Sequence, residues 1–236
     1  APSIYATSGT GEVRVGLGSS GVGTLSLIGD EINDSDAPQV IADQVRIGID
    51  AGSQGTVSLS TQSTLGNIGD FINLITVGES GTGTLSVDSN SSVQANGMDI
   101  GVNSGSVGTV TVTGSSQLQV NGDIVLSEGG SASLAVTDSS QVYADSIQEG
   151  AADNGSFDFS GGTIIANVNN TDFFAGFETA DLNVDGGTTG TFFTNGNNVT
   201  ITQDLALDGT FFKGGAGTLT VAAGTVAELT VVTQGT

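Results

Sequence analysis

Cysteine, histidine and tryptophan are absent from the 236 residues, and proline occurs only twice. Without cysteine there is neither a disulfide framework nor a thiolate metal site, so burial and hydrogen bonding must hold any fold together. Without histidine or cysteine, neither a Ser-His-Asp triad nor a Cys-His pair can be assembled. Basic residues are nearly missing too: Arg14, Arg46 and Lys213 stand against 25 Asp and Glu, for a formal net charge of −22. So few cations release almost no counterions from phosphate, which excludes nucleic acid and charge-driven adhesion to anionic lipid as partners. No apolar run approaches the roughly 20 residues of a membrane-spanning helix, so membrane insertion is not expected. The chain opens Ala1-Pro2-Ser3 without an initiator methionine, as expected after leader cleavage or in a piece of a longer chain.

Strong acidity accompanies disorder only where hydrophobicity is low, and here 36% of residues are hydrophobic, so the chain is expected to fold. Its 38 glycines follow no collagen-like period and suit many short strands joined by tight turns. The segments 23-GTLSL-27, 55-GTVSL-59, 83-GTLSV-87 and 108-GTVTV-112 repeat one alternating pattern, with looser copies at 131-SASLAV-136 and 155-GSFDF-159. Their glycines are spaced by 32, 28 and 25 residues, a period that contracts as insertions shrink. Before each copy lies a second alternating run: 13-VRVG-16, 45-VRIG-48, 75-ITVG-78, 98-MDIG-101 and 124-IVLS-127. After most lies a third, as in 91-SSVQA-95, 115-SSQLQV-120 and 139-SSQVYA-144.

About three short strands in a repeat of this length make one coil of a parallel β-helix, an all-β solenoid. Alternation then places Leu25 and Leu27, or Val110 and Val112, in a narrow core, with Ser26 and Thr111 facing outward. Glycine, with Asn and Asp next, suits the corners, where positive φ is needed. Regular repeats fill residues 1–156. In 157–236 the repeat loosens and nine of the ten phenylalanines gather, which reads as a continuation with wider coils. The pairs Phe173-Phe174, Phe192-Phe193 and Phe211-Phe212 break alternation and are expected to place one ring in the core and the other on a flank.

The units 75-ITVGESGTGTLSVDSNSSV-93 and 98-MDIGVNSGSVGTVTVTGSSQL-118 resemble the β-strand repeats of autotransporter passenger domains and of surface proteins carrying a PEP-CTERM sorting tail, and 214-GGAGTLTV-221 resembles the autotransporter-associated strand repeat. The resemblance is good over residues 11 to 145 and loose beyond. It implies export by a bacterium, an extracellular or cell-surface location and no catalytic residues to transfer. Neither a membrane β-barrel translocator nor a sorting tail is visible in the sequence.

Several motifs remain to be weighed. Residues 16-GLGSSG-21 match a dinucleotide fingerprint, but a strand motif follows where phosphate binding needs a helix N-terminus, so the match is taken as chance. Arg14 and Arg46 sit at equivalent positions of successive coils and are expected to stack outside, neutralising acidic surface around Asp43 and Asp50. The insertion 29-GDEINDSDAP-38 gathers hard oxygen ligands, and Asp30, Asp34 and Asp36 are the candidate calcium ligands, although the spacing fits no established calcium loop. The segment 167-NVNNTD-172, ending at Asp172, is a weaker cluster. Apart from calcium, no cofactor is expected.

The expected function is a secreted or cell-surface structural and adhesive solenoid, not an enzyme, that self-associates end to end into filaments, with a cell-surface or polysaccharide target as a further partner. The expectation of polymerisation rests on the strand edges every solenoid exposes at its first and last coils, and on apolar Leu229, Val231 and Val232 near the C-terminus. Two alternatives stand behind it. A carbohydrate-active β-helix enzyme needs only two carboxylates, and an ice-binding solenoid needs a regular Thr-x-Thr face, which only Thr109-Val110-Thr111-Val112-Thr113 approaches.

Overall fold

The structure, a computed structural model, describes residues 11–29, 38–66, 71–178, 181–203, 205 and 208–221, together with the backbone of the strands Ile4–Tyr5 and Leu229–Thr230. It is a parallel β-solenoid, with no α-helix among the described residues. Three sheets run along it, of ten, six and seven strands, and the chain visits them in a fixed rotation. One full coil comprises Gln39–Ile41 in sheet 1, Gln44–Ile47 in sheet 2 and Gln54–Ser60 in sheet 3. The next coil repeats this with Thr64–Leu65, Leu74–Val77 and Thr82–Val87. All pairings between named strands are parallel and join a strand to its equivalent one coil away.

The register turns each sequence position into a column. In sheet 3, Leu25, Val57, Leu85, Val110, Leu134 and Phe157 stack inward, as do Leu27, Leu59, Val87, Val112 and Val136. From Val57 and Leu59 onward these side chains are essentially inaccessible to solvent. In sheet 2 the inner columns are Val13, Val45, Ile75, Met98, Ile124, Ile147 and, two residues on, Val15, Ile47, Val77, Ile100, Leu126. Each sheet alone has a single apolar face, and closing three around one axis buries all of them together.

Corners decide whether such a coil can close. Between sheets 2 and 3, Gly16, Gly48, Gly78 and Gly101 all have φ between +68° and +75°. A Cβ on any of them would lie 2.3–2.4 Å from the carbonyl oxygen of a strand start in the next coil. Only glycine satisfies both conditions. Between sheets 3 and 1 the corner is polar and buried, which demands hydrogen bonds. Ser63, Ser91, Ser116 and Ser140 provide them: each hydroxyl from Ser91 onward accepts the backbone N–H of the serine one coil before, at 3.1–3.2 Å.

Sheet 1 runs without a break into the Phe-rich part, through Thr163–Ala166, Thr189–Phe193 and Thr210–Gly214, and its outer strands are Ile4–Tyr5 and Leu229–Thr230. Phe192 and Phe211 fill the core while Phe193 and Phe212 are more exposed, as alternation requires. Phe173 and Phe174 correct the expectation, because both are fully buried, with ring centroids 5.1 Å apart and planes at 87°. They lie in a turn, where strand alternation does not apply. That turn takes over the end of sheet 2, since Phe173 and Ala175 accept the N–H groups of Ile147 and Glu149.

Two substitutions test the columns. Val110→Asp places an unpaired carboxylate between Leu85 and Leu134, and should cost on the order of 3–5 kcal/mol in urea unfolding. Ser116→Ala leaves the buried Ser91 N–H without its acceptor and should cost about 1–3 kcal/mol. A loss below half a kcal/mol for either variant would contradict the column assignment.

Candidate functional site

The inner sheet 2 column Val15, Ile47, Val77, Ile100, Leu126 does not continue with an aliphatic residue. Its sixth member is Glu149, paired in register with Leu126. The carboxyl group therefore enters a position that five preceding coils give to apolar side chains, and Glu149 is only 8% exposed. Space for it comes from two glycines. Gly155 continues the sheet 3 column Gly55, Gly83, Gly108 and Ala132, and a Cβ there would stand 2.7 Å from Glu149 Oε1; a Cβ on Gly176 would meet the Glu149 carbonyl oxygen at 2.4 Å.

Oε1 accepts the Gly155 N–H at 2.5 Å. Oε2 is buried and has no hydrogen-bond partner among the described residues. Two further carboxylates converge on the Glu149 carboxyl group: Asp153, from the exposed corner that follows Glu149, and half-buried Asp181, from the next coil. One oxygen of each of the three lies within 4.8 Å of the others. Asp181 is held by a pair of bonds with Glu178, accepting its N–H at 3.2 Å and donating to its carbonyl at 3.1 Å. Burial pushes the Glu149 carboxyl up to about 7 despite the Gly155 N–H, and the charges of Asp181, Asp153 and Glu178 push in the same direction.

No basic residue answers this cluster. Arg46 bridges coils at the other end, donating from Nε to Glu79 at 2.6 Å, from Nη2 to the same carboxylate, and from Nη1 to Glu12 at 2.9 Å. Arg14 pairs with Glu12 at 2.5 Å. The two arginines do stack in register, but their partners are Glu12 and Glu79 rather than Asp43 and Asp50. Those two aspartates instead accept backbone N–H groups, of Gly11 at 2.8 Å and of Gly18 at 2.6 Å. Lys213 is buried and donates to the carbonyls of Gly215 and Gly217.

The calcium candidates Asp30, Asp34 and Asp36 lie outside the described residues, as do Val231 and Val232. The 16-GLGSSG-21 loop turns directly into the strand Val22–Ile28, with no helix to receive a phosphate. Asp172 accepts the Thr202 hydroxyl at 2.6 Å, and Asn170 of the same segment donates to the Asp145 carbonyl. These groups stitch coils together and do not converge on a common point. Sequence reading missed the Glu149 cluster, although 146-SIQEG-150 aligned under 123-DIVLS-127 puts Glu149 in the inner column.

The outer face of sheet 3 carries a second regular feature. Thr24, Thr56, Thr84 and Thr109 stack in one outward column, continued by Ser133 and Ser156; Ser26, Ser58, Ser86 and Thr111 stack beside them. Hydroxyls thus recur at about 4.8 Å across coils and about 6.6 Å along each strand. The array is longer than Thr109 and Thr111 suggested, because serine replaces threonine in the second column. No protein-family model, curated protein or solved structure matches this chain.

The buried Glu149 predicts a pH dependence. Between about 4.5, its unfolded value, and about 7, the folded chain holds a proton that the unfolded chain has lost. Stability from this group is therefore complete at low pH and falls as pH rises through that window. Glu149→Gln removes the titration. In chelator, thermal melts should show the variant gaining on the parent from pH 5 to pH 8 by an amount on the order of 3 kcal/mol. A constant difference across this range would count against it.

Proposed function

We propose that this chain is a secreted or cell-surface bacterial structural protein whose solenoid joins end to end with further copies. The observation that carries the reading is the strand Val22–Ile28 at one edge of sheet 3, which has no strand on its outer side among the described residues. Its outward ends are Val22 and Ile28, 76% and 71% exposed, where the next coil has Gln54 and Ser60. Its core-facing Leu25, like Val13 beside it in sheet 2, is only partly buried, whereas Val57 and Val45 one coil on are sealed. A cavity of ≈ 230 Å³ opens there, lined by Leu25, Leu27, Ile28, Pro38 and Val40 among others. A further coil stacked on this edge would pair its free backbone groups and close the apolar columns. Such a head-to-tail contact propagates rather than closes. Extracellular placement rests on the resemblance to passenger-domain repeats.

The hydroxyl face of sheet 3 supports a second reading, adsorption to ordered water or to a crystalline polysaccharide. A rigid lattice of hydroxyls suits a repetitive target better than a small ligand. The carbohydrate-hydrolase alternative finds less support, because Glu149, the carboxyl pushed closest to neutrality, has one oxygen sealed from solvent and the other bonded to Gly155.

Sedimentation velocity and electron microscopy of the chain should show concentration-dependent rods or filaments. Val22→Lys with Ile28→Lys, which places charge on the edge strand, should reduce assembly at least tenfold while leaving the circular dichroism unchanged. Deletion of residues 1–10 or of 227–236 should weaken it too. A parent that stays monomeric at high concentration, or variants that assemble as well as the parent, would refute end-to-end joining. Ice-affinity partition and pull-down on insoluble polysaccharide, with Thr84→Lys as the altered face, test the second reading.

A further inference from the structure

We propose that Glu149, Asp153 and Asp181 bind one divalent cation of the calcium class at the sixth coil. The inference does not depend on end-to-end assembly. It stands on two independent observations. Three carboxylates converge within 4.8 Å, and one of them, Glu149, is more than nine-tenths buried, enters from inside the core and has an oxygen, Oε2, without a partner among the described residues.

An ionised carboxylate in an apolar column is costly unless it is paired or coordinates a metal. Pairing within the chain is closed off, because Arg14 and Arg46 are engaged with Glu12 and Glu79, and Lys213 with two carbonyls. Glu178 adds a fourth negative charge beside the cluster. A cation would take the Glu149 carboxylate as an inner ligand and receive Asp153 and Asp181 from the corner and the following coil. It would thereby clamp residues far apart in sequence onto one point. The donors are all hard oxygens, and no histidine or cysteine exists in the chain to favour a softer metal. Carboxylates brought from a strand, a corner and the following coil suit the flexible, higher-coordinate shell of calcium better than the strict octahedron of magnesium. The exposed Asp153 leaves an entry side on which water completes the shell.

The test is calorimetric titration of CaCl₂ and of MgCl₂ into the chelator-treated full chain near pH 7.5 and about 0.15 M NaCl, where surface charge is screened, with thermal melts alongside. The expected result is one calcium per chain, bound at least tenfold more tightly than magnesium, and a rise in Tm of about 5 °C or more at saturation. Asp153→Asn with Asp181→Asn should abolish both the heat and the rise while retaining the β-sheet spectrum, and Asp181→Asn alone should weaken binding at least tenfold. Asp34→Asn with Asp36→Asn, in the acidic insertion, should leave both intact. No calcium heat in the parent, equal binding of magnesium, or heat that survives the Asp153/Asp181 variant would overturn the assignment. So would heat that disappears with the Asp34/Asp36 variant, which would move the cation to the insertion.

Discussion

The rest of the structure depends on the parallel stacking of each strand on its own equivalent, about 4.8 Å away. Stacking of this kind converts a residue choice into a column, so a property acceptable once must be acceptable many times over. Apolar side chains gain from this, since Leu25, Val57, Leu85 and Val110 bury one another. Glycine gains as well: Gly16, Gly48, Gly78 and Gly101 solve the same steric problem four times with the same residue. The serine ladder extends the rule to buried polar groups, because a hydroxyl reaching one coil back supplies each preceding N–H in turn.

The same logic explains how much was legible in the sequence. Wherever a column holds one residue type, the repeat is visible by eye, and strand order, inward faces and corners all follow from 23-GTLSL-27 and its copies. Legibility fades where columns change type. Phe173 and Phe174 read as an alternation break, yet both are buried because a turn closes sheet 2 at that point. The hydroxyl face was half visible, since Thr109 and Thr111 announce it while the Ser26, Ser58 and Ser86 column is hidden by the Ser-for-Thr exchange.

The Glu149 cluster divides in the same way. Glu149 could have been found, because its misfit appears as soon as 146-SIQEG-150 is laid under the preceding sheet 2 strands. Asp153 follows from it as the next corner. Asp181 could not, because it comes from a stretch where the repeat has dissolved and only the folded chain brings it back beside Glu149.

Charge is the property a stacked fold tolerates least, because equivalent positions repeat it at a spacing well inside the Debye length. The chain meets this difficulty differently along its axis. At the first coils, Arg14 and Arg46 stack on one another, Glu12 pairs with both and Glu79 holds Arg46 from the coil beyond, so that one guanidinium ties three coils together. Partly exposed surface pairs of this kind add little stability individually, but they remove a repulsion that the register would otherwise impose. In the last Phe-rich strand, Lys213 replaces a core residue in the sheet 1 column after Ile164 and Phe192, and its ammonium group is satisfied by two corner carbonyls. Between these ends the chain has no further cation to place, and that is where Glu149 interrupts an aliphatic column. The position of the interruption, at the last strand of sheet 2 and against the turn that closes it, makes the sixth coil a point where an added positive charge would relieve repulsion among carboxylates.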